Sequence, residues 1–287
     1  MTARPQLKAM DALVNPKERR YYAALVVVSL LVYAGLAAAA LGSAEGASAV
    51  MGALFYVAMF ALALFMARGL MIGRLRGNGV RVSERQFPTL YSVAQRHAAT
   101  LGLERLPDLF VLESGGLLNA FATRFGGRDF VVIYADVLAL AEARGEAAVG
   151  FIVAHELAHV RRGHLRHRWL TLPGRMVPYL GAAYARACEY TCDRFGVHCE
   201  PDGAVDGLLV LAAGRELYRQ VDAHEYARQV ETESGFFVRR AELMASHPHL
   251  PKRVAALLPV VRAATGVPAP AYSPVRDGVG RAGALAR

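Results

Sequence analysis

Ala148-Val149-Gly150-Phe151-Ile152-Val153-Ala154-His155-Glu156-Leu157-Ala158-His159-Val160 is an apolar run broken only by two histidines and a glutamate. The pattern predicts a buried helix, and Glu146 before it and Arg161 and Arg162 at its end suit the helix dipole. On a helix, residues four apart lie one above the other, so His155 and His159 present their imidazoles side by side. That spacing lets both rings reach one metal ion, with Glu156 placed beside it as a base for a water. Burying these groups unpaired would cost roughly 1–3 kcal/mol each, and more for a charge. A metal removes that penalty.

The 287 residues are 54% hydrophobic, apolar for a soluble enzyme, and carry a formal charge of +9. Such a basic balance fits either nucleic acid or an anionic membrane face, and the placement of the charges decides. Residues 1–20 are polar and basic. Tyr21 to Leu41 then has no charge and is long enough to cross about 30 Å of hydrocarbon. A turn-like Gly42-Ser43-Ala44-Glu45-Gly46 leads to a second charge-free run, Ala47 to Ala67, followed by Arg68, Arg74, Arg76 and Arg81. The two runs predict a transmembrane hairpin over 21–72. Lys and Arg crowd both outer flanks and are absent from the loop, which puts both flanks in the cytoplasm of a multi-pass protein of the inner or plasma membrane. The small residues Ala37 to Ala44 also resemble a signal-cleavage region, but the apolar run is longer than a usual signal core. The hairpin accounts for most of the basic surplus, and no nucleic-acid motif or aromatic-basic interleaving accompanies it. Cys188, Cys192 and Cys199 are an odd number without a secreted framework, which points to a reducing compartment.

Beyond the hairpin, residues 73–263 read as one globular domain and 264–287 as a disordered tail rich in Ala, Gly, Pro and Arg. Glu84 to Leu103 carries a helical stripe ended by Gly102. Leu109–Leu112, Asn119–Thr123 and Phe130–Tyr134 read as three strands of a small sheet, the last two joined by a turn at Gly126-Gly127. Trp169 to Tyr184 is apolar but interrupted by Pro173, Gly174, Arg175 and Pro178, so it reads as a surface or membrane-facing connection. Helices follow over Ala182–Gly196, Val205–Ala223 and Val254–Ala263. His164 and His167, among four arginines, read as a basic surface that faces solvent or lipid headgroups rather than as metal ligands, and His97 as an isolated ordinary residue. Cys188 and Cys192 read as small packing residues, with a redox pair as the alternative.

Two imidazoles and a water leave a tetrahedral zinc one ligand short. A third histidine in the HExxHxxGxxH pattern would fall at 165, which is leucine. The other solution is a carboxylate on a second helix, and Glu189 with Asp193 one turn on provides it, although such pairs are also common on solvated faces.

His155-Glu156-Leu157-Ala158-His159, the Arg186 to Asp193 segment, and Ser246-His247-Pro248 with Arg253 together resemble the HtpX and CAAX prenyl protease type of membrane zinc peptidase. Asn119-Ala120-Phe121-Ala122 is similar to that family's edge strand, and the two-span N-terminus resembles HtpX in particular. HtpX relatives have two further spans before the ligating Glu, where this chain has only 160–188, and Cys192 replaces a more usual alanine. The resemblance implies an α+β, mainly helical fold, with a transmembrane helical hairpin and a zincin-type catalytic domain holding a small three-stranded sheet. It implies one Zn2+ per chain on His155, His159 and Glu189, with Glu156 as general base. Asp193 would orient a ligand, His247 would stand near the substrate carbonyl, and Arg253 would brace the site. Asn119, Ala120, Phe121 and Ala122 would bind substrate by strand addition. The expected activity is a zinc metalloendopeptidase acting on unfolded or membrane protein substrates at the bilayer, plausible in membrane-protein quality control. The alternative is a zinc-holding scaffold without proteolysis, which would have no need of Glu156.

Overall fold

The computed structural model describes residues 10–113, 115, 119–140, 146–166 and 169–266. Helices α1 (Pro16–Gly42) and α2 (Ala44–Asn78) lie against each other, joined through Ser43 alone. Asn15 caps α1 by accepting from the Lys17 N–H, and Ser43 caps α2 by accepting from the Gly46 N–H. Ser43 is extended (φ −160°, ψ 158°), so one residue ends the first helix and starts the second where the composition predicts a longer turn. Both helices are long and apolar enough to cross a membrane, with mean hydropathies of 2.5 and 2.3 over an 18-residue stretch of each. Past the charge-free run that ends at Ala67, and past the predicted hairpin boundary at 72, α2 continues without a break to Asn78 in the globular part. There Ile72 and Leu75 are buried against Phe110, Phe130 and Val132, and Phe65 stacks on Phe125 with ring centroids 5.2 Å apart.

The mixed sheet has four strands, one more than predicted: β1 (Val80–Arg81), β2 (Asp108–Leu112), β3 (Ala120–Phe125) and β4 (Arg128–Tyr134), in the order β1-β2-β4-β3. Two residues are too few for β1 to show a period, and it forms because Val80 pairs with Val111 antiparallel as the chain leaves α2. β2 and β4 run parallel (Leu109 opposite Val131), while β3 and β4 form the predicted hairpin, Gly126 and Gly127 both having positive φ. Alternation sorts the side chains. Leu109, Val111, Val131 and Ile133 enter the main core, and Phe110, Phe130 and Val132 meet α2. Among the described residues β3 is left as an edge.

The first helix of the globular part, α3 (Pro88–Thr100), starts later than its stripe suggests. Pro88 disfavours a helical residue before it, and Phe87 is left-handed at φ 58°. α4 (Ala135–Leu140) leads to α5 (Glu146–Arg161), the motif helix, which is buried almost all round. α6 (Leu172–Met176) is a single short turn in the connection to α7 (Leu180–Cys199). The helix predicted over Val205–Ala223 is instead α8 (Ala204–Leu217), kinked at Gly214 (φ 80°), a 3-10 turn at Tyr218–Gln220, and a new helix α9 (Ala223–Thr232) capped by Asp222. α10 (Phe236–Met244), which no pattern marked, and α11 (Leu250–Thr265) complete the described chain. The predicted tail beyond 266 lies outside the described residues.

Packing around Phe151 sets the position of the motif helix. An added Cβ on Gly196 of α7 would come within 2.6 Å of the Phe151 ring, as would one on Gly207 of α8. Gly203 meets the Ala147 carbonyl so closely that no Cβ fits. Glycines on two helices thus let α7 and α8 close on α5, one turn before His155. A Gly196→Val change overpacks this contact and is expected to cost about 1–3 kcal/mol, read as a lower Tm.

His97 on α3 is buried, and its Nε2 finds no hydrogen-bond partner, the Glu200 carboxylate standing 3.5 Å away. Burial, with help from Arg96, lowers its pKa from 6.5 to about 4. The folded state therefore holds His97 neutral while the unfolded chain protonates it below pH 6.5. Stability from this residue falls as pH drops from 6.5 towards 4, by about 3 kcal/mol at most. Thermal unfolding across that window should show a shallower acid loss for His97→Leu than for the parent.

Candidate active site

α5 and α7 cross so that His155, His159 and Glu189 converge. The two Nε2 atoms lie 3.3 Å apart. Glu189 Oε2 is 3.4 Å from His155 Nε2, and its Oε1 is 3.3 Å from His159 Nε2. Donors bound tetrahedrally at about 2.0–2.1 Å sit roughly 3.3–3.4 Å from one another, and Glu189 meets the two imidazoles at that spacing through its two separate oxygens, close enough for the three side chains to share one zinc. This triangle of two nitrogens and one carboxylate is also the donor chemistry zinc takes. Glu156, one residue from His155 and largely buried, lines the same cleft.

Around the triangle stands a second layer of polar groups. Asp193, one turn past Glu189, reaches His155 Nδ1 at 3.0 Å, which fixes the ring with Nε2 aimed inward. Arg253 from α11 clamps Asp193 with both ends of its guanidinium (2.9 and 2.6 Å) and lies 3.2 Å from Glu189 Oε2. Burial alone would raise both acids. Arg253 and the imidazoles outweigh it, holding Glu189 well below the usual carboxylate range and Asp193 below its ordinary value. Burial likewise disfavours a charged His155, but Asp193 and Glu189 overcome it and raise its pKa to about 10. The pocket attracts positive charge.

On the other ring, the structure corrects the reading of His164. This residue is a buried link, not a solvated one: its Nδ1 lies 3.0 Å from His159 Nδ1 and its Nε2 3.3 Å from Glu18 Oε1. Glu18, in the first turn of α1, is also held by Arg162 at 2.7 Å. An acid beside the first apolar run thus braces His159 as Asp193 braces His155. No spacing marked Glu18, because its partners are 144 and 146 residues away. His167 lies outside the described residues.

Cys188 and Cys192 are buried free thiols, in keeping with packing roles. Cys192 comes within 4.8 Å of both motif imidazoles, but Glu189 already closes the triangle on both Nε2 atoms, and burial raises the thiol pKa well above its usual value. Cys188 similarly approaches Glu18 and His164, where Arg162 already occupies the Glu18 carboxylate.

The triangle opens into a cleft of about 310 Å³ bordered by Asn119, Ala120, Phe121 and Ala122 on the β3 side and by Leu208 and Leu211 of α8. His247, with 65% of its side chain exposed, stands at the rim, its Nε2 3.5 Å from Glu189 Oε1. The structure therefore brings together the histidines, acids, arginine and edge strand singled out in the sequence. A second cavity, of about 420 Å³ between α3 and α5, has Glu146 as its one ionisable lining residue among the described residues, and these hold no comparable cluster there.

A carboxylate beside three convergent metal donors, in a cleft walled by a free strand edge, is the layout of a metal-dependent hydrolase. Residues 84–178 and 172–260 match peptidase family M48, and the chain belongs to this family of zinc-dependent metallopeptidases. No curated protein and no solved structure matches the chain.

Asp193→Asn keeps the shape but removes the charge that orients His155, and zinc affinity measured by chelator competition should fall about 10–100-fold. Glu18→Gln should lower it in the same direction through His164 and His159.

Proposed function

We propose that the chain is a membrane-anchored zinc endopeptidase of the HtpX-like type, with its catalytic domain facing the cytoplasm. The observation that carries this reading is the 3.3–3.4 Å triangle of His155, His159 and Glu189 with Glu156 in the same cleft. These three side chains would hold one Zn2+ per chain. Zinc bound there supplies a Lewis acid for the scissile carbonyl and lowers the pKa of a water towards neutrality.

The chain's own residues supply the rest. Glu156 takes the proton of the attacking water and delivers it to the leaving amine. His247, at the rim, donates to the oxyanion as it develops. Asp193 and Arg253 hold His155 and Glu189 in place through the reaction. The free edge of β3 at Asn119 to Ala122 takes an extended peptide as an added strand, which orients its carbonyl across the cleft. At about 310 Å³ the cleft admits the residues around one scissile bond and no folded domain, so the substrate is locally unfolded.

Two apolar helices, with arginines and lysines on the flanks and none between, support the hairpin and the cytoplasmic placement. They support the HtpX-like type over the prenyl-protein one, because two spans build no large intramembrane chamber. Unfolded substrates beside a bilayer favour a role in membrane-protein quality control.

The test compares purified parent with Glu156→Gln for zinc per chain and cleavage of an unfolded protein. One zinc in each with cleavage only by the parent is expected, the variant losing at least about a hundredfold in rate. Zinc in both without cleavage by either would favour a zinc-holding scaffold, and absence of zinc from both would overturn the site.

A further inference from the structure

The connection between the motif helix and α7 climbs along α1. The Tyr33 hydroxyl donates to the Trp169 carbonyl at 2.8 Å, and the Gly174 N–H donates to the buried Ser29 Oγ at 2.9 Å. At Gly174 the two backbones touch, since an added Cβ would lie 2.5 Å from the Leu25 carbonyl oxygen. The segment is thus seated on α1 from Leu25 up to Tyr33.

The height of that contact is informative. Tyr33 precedes Ser43, the top of the hairpin, by ten residues, or about 15 Å of helix. On α2 the charge-free run from Ala47 to Ala67 covers roughly 30 Å, and the globular part meets it near the bottom, where Phe65 stacks on Phe125. Lipid that covers the exposed face of α2 therefore reaches well below Tyr33, and Trp169 falls about halfway through the span.

The chemistry of the segment suits that depth. Trp169, Leu170, Met176 and Val177 are exposed, which water would penalise and lipid would not, while Tyr179 at the end of the segment has Arg240 5.3 Å over its ring. Arg175, the one charge from Trp169 to Tyr179, lies 5.1 Å over the Tyr184 ring and donates from Nε to Thr171 Oγ1. Pro173 and Pro178 bring no N–H. The N–H groups of Leu172, Gly174, Arg175 and Val177 bond to Trp169, Ser29, Thr171 and Gly174 respectively. Irregular backbone is tolerated at membrane depth where protein satisfies it in this way.

We propose that Trp169–Tyr179 is embedded in the bilayer against α1, as a membrane-dipping element of the catalytic domain whose partner is the lipid hydrocarbon. This rests on the reading of α1 and α2 as a transmembrane hairpin. Because α7 begins at Leu180, the membrane then anchors the helix that carries Glu189 at its start, and the cleft works beside the bilayer surface.

Trp169 is the only tryptophan in the chain, so the unmodified protein reports on itself. Full-length protein would be reconstituted in phosphatidylcholine vesicles with bromines at shallow, middle or deep acyl positions, and tested with aqueous iodide. Loss of Trp169 emission greatest with mid-chain bromines, and insensitivity to iodide, is the expected result. A Phe60→Trp reporter in a Trp169→Phe background, placed on α2, separates the two readings. If that reporter is quenched by mid-chain bromines while Trp169 responds only to iodide or to shallow bromines, the embedding is overturned and the hairpin stands. If neither is quenched by bromines, both fall.

Discussion

Two carboxylates four residues apart on one helix, both withdrawn from water, can be tolerated only if a cation sits between them. Arg253 is that cation. Its guanidinium faces Asp193 with two hydrogen bonds and Glu189 at 3.2 Å, all three side chains being almost inaccessible. Removing one member of such a cluster leaves an uncompensated buried charge, at a cost of about 3–5 kcal/mol. Everything else at the site leans on it: Asp193 can orient His155 only because Arg253 holds Asp193, and Glu189 faces the imidazoles because its other side is neutralised.

The apolar packing serves the same end. α5 is buried on every side, and it reaches α7 and α8 closely only because Gly196, Gly203 and Gly207 offer no Cβ at the points of contact. This close approach brings donors on separate helices to within 3.4 Å. On its other flank the sheet is buried on both faces, by the core and by the end of α2. The β3 edge next to the cleft is thus held by a strand pair that cannot shift without disturbing α2.

The two apolar helices also take part in the globular packing. α1 contributes Glu18 to the brace behind His159, Asn15 donates its N–H to Thr191 on α7, and α2 covers the outer face of the sheet. The first helix meets α7 and the second meets the sheet. The packing thus ties both apolar helices to the elements that carry His159 and Glu189 and to the sheet.

The sequence by itself determined the elements whose signal is local. The motif helix, the two apolar helices, the Gly126-Gly127 hairpin and the pairing of Glu189 with Asp193 all follow from spacing within a few residues. It also placed the site residues together through a resemblance that rests on several short motifs, and the family match bears out the metallopeptidase class. Only the tertiary structure decided the rest. β1 was too short to show a period, and the break at Gly214 needed the backbone itself, since glycine within an apolar run reads equally as packing or as a kink. The burial of His164 was hidden because its neighbours in sequence are arginines, whereas its neighbours in space are Glu18 and His159. Such partners are set by how helices far apart in the chain cross, and no local pattern records that.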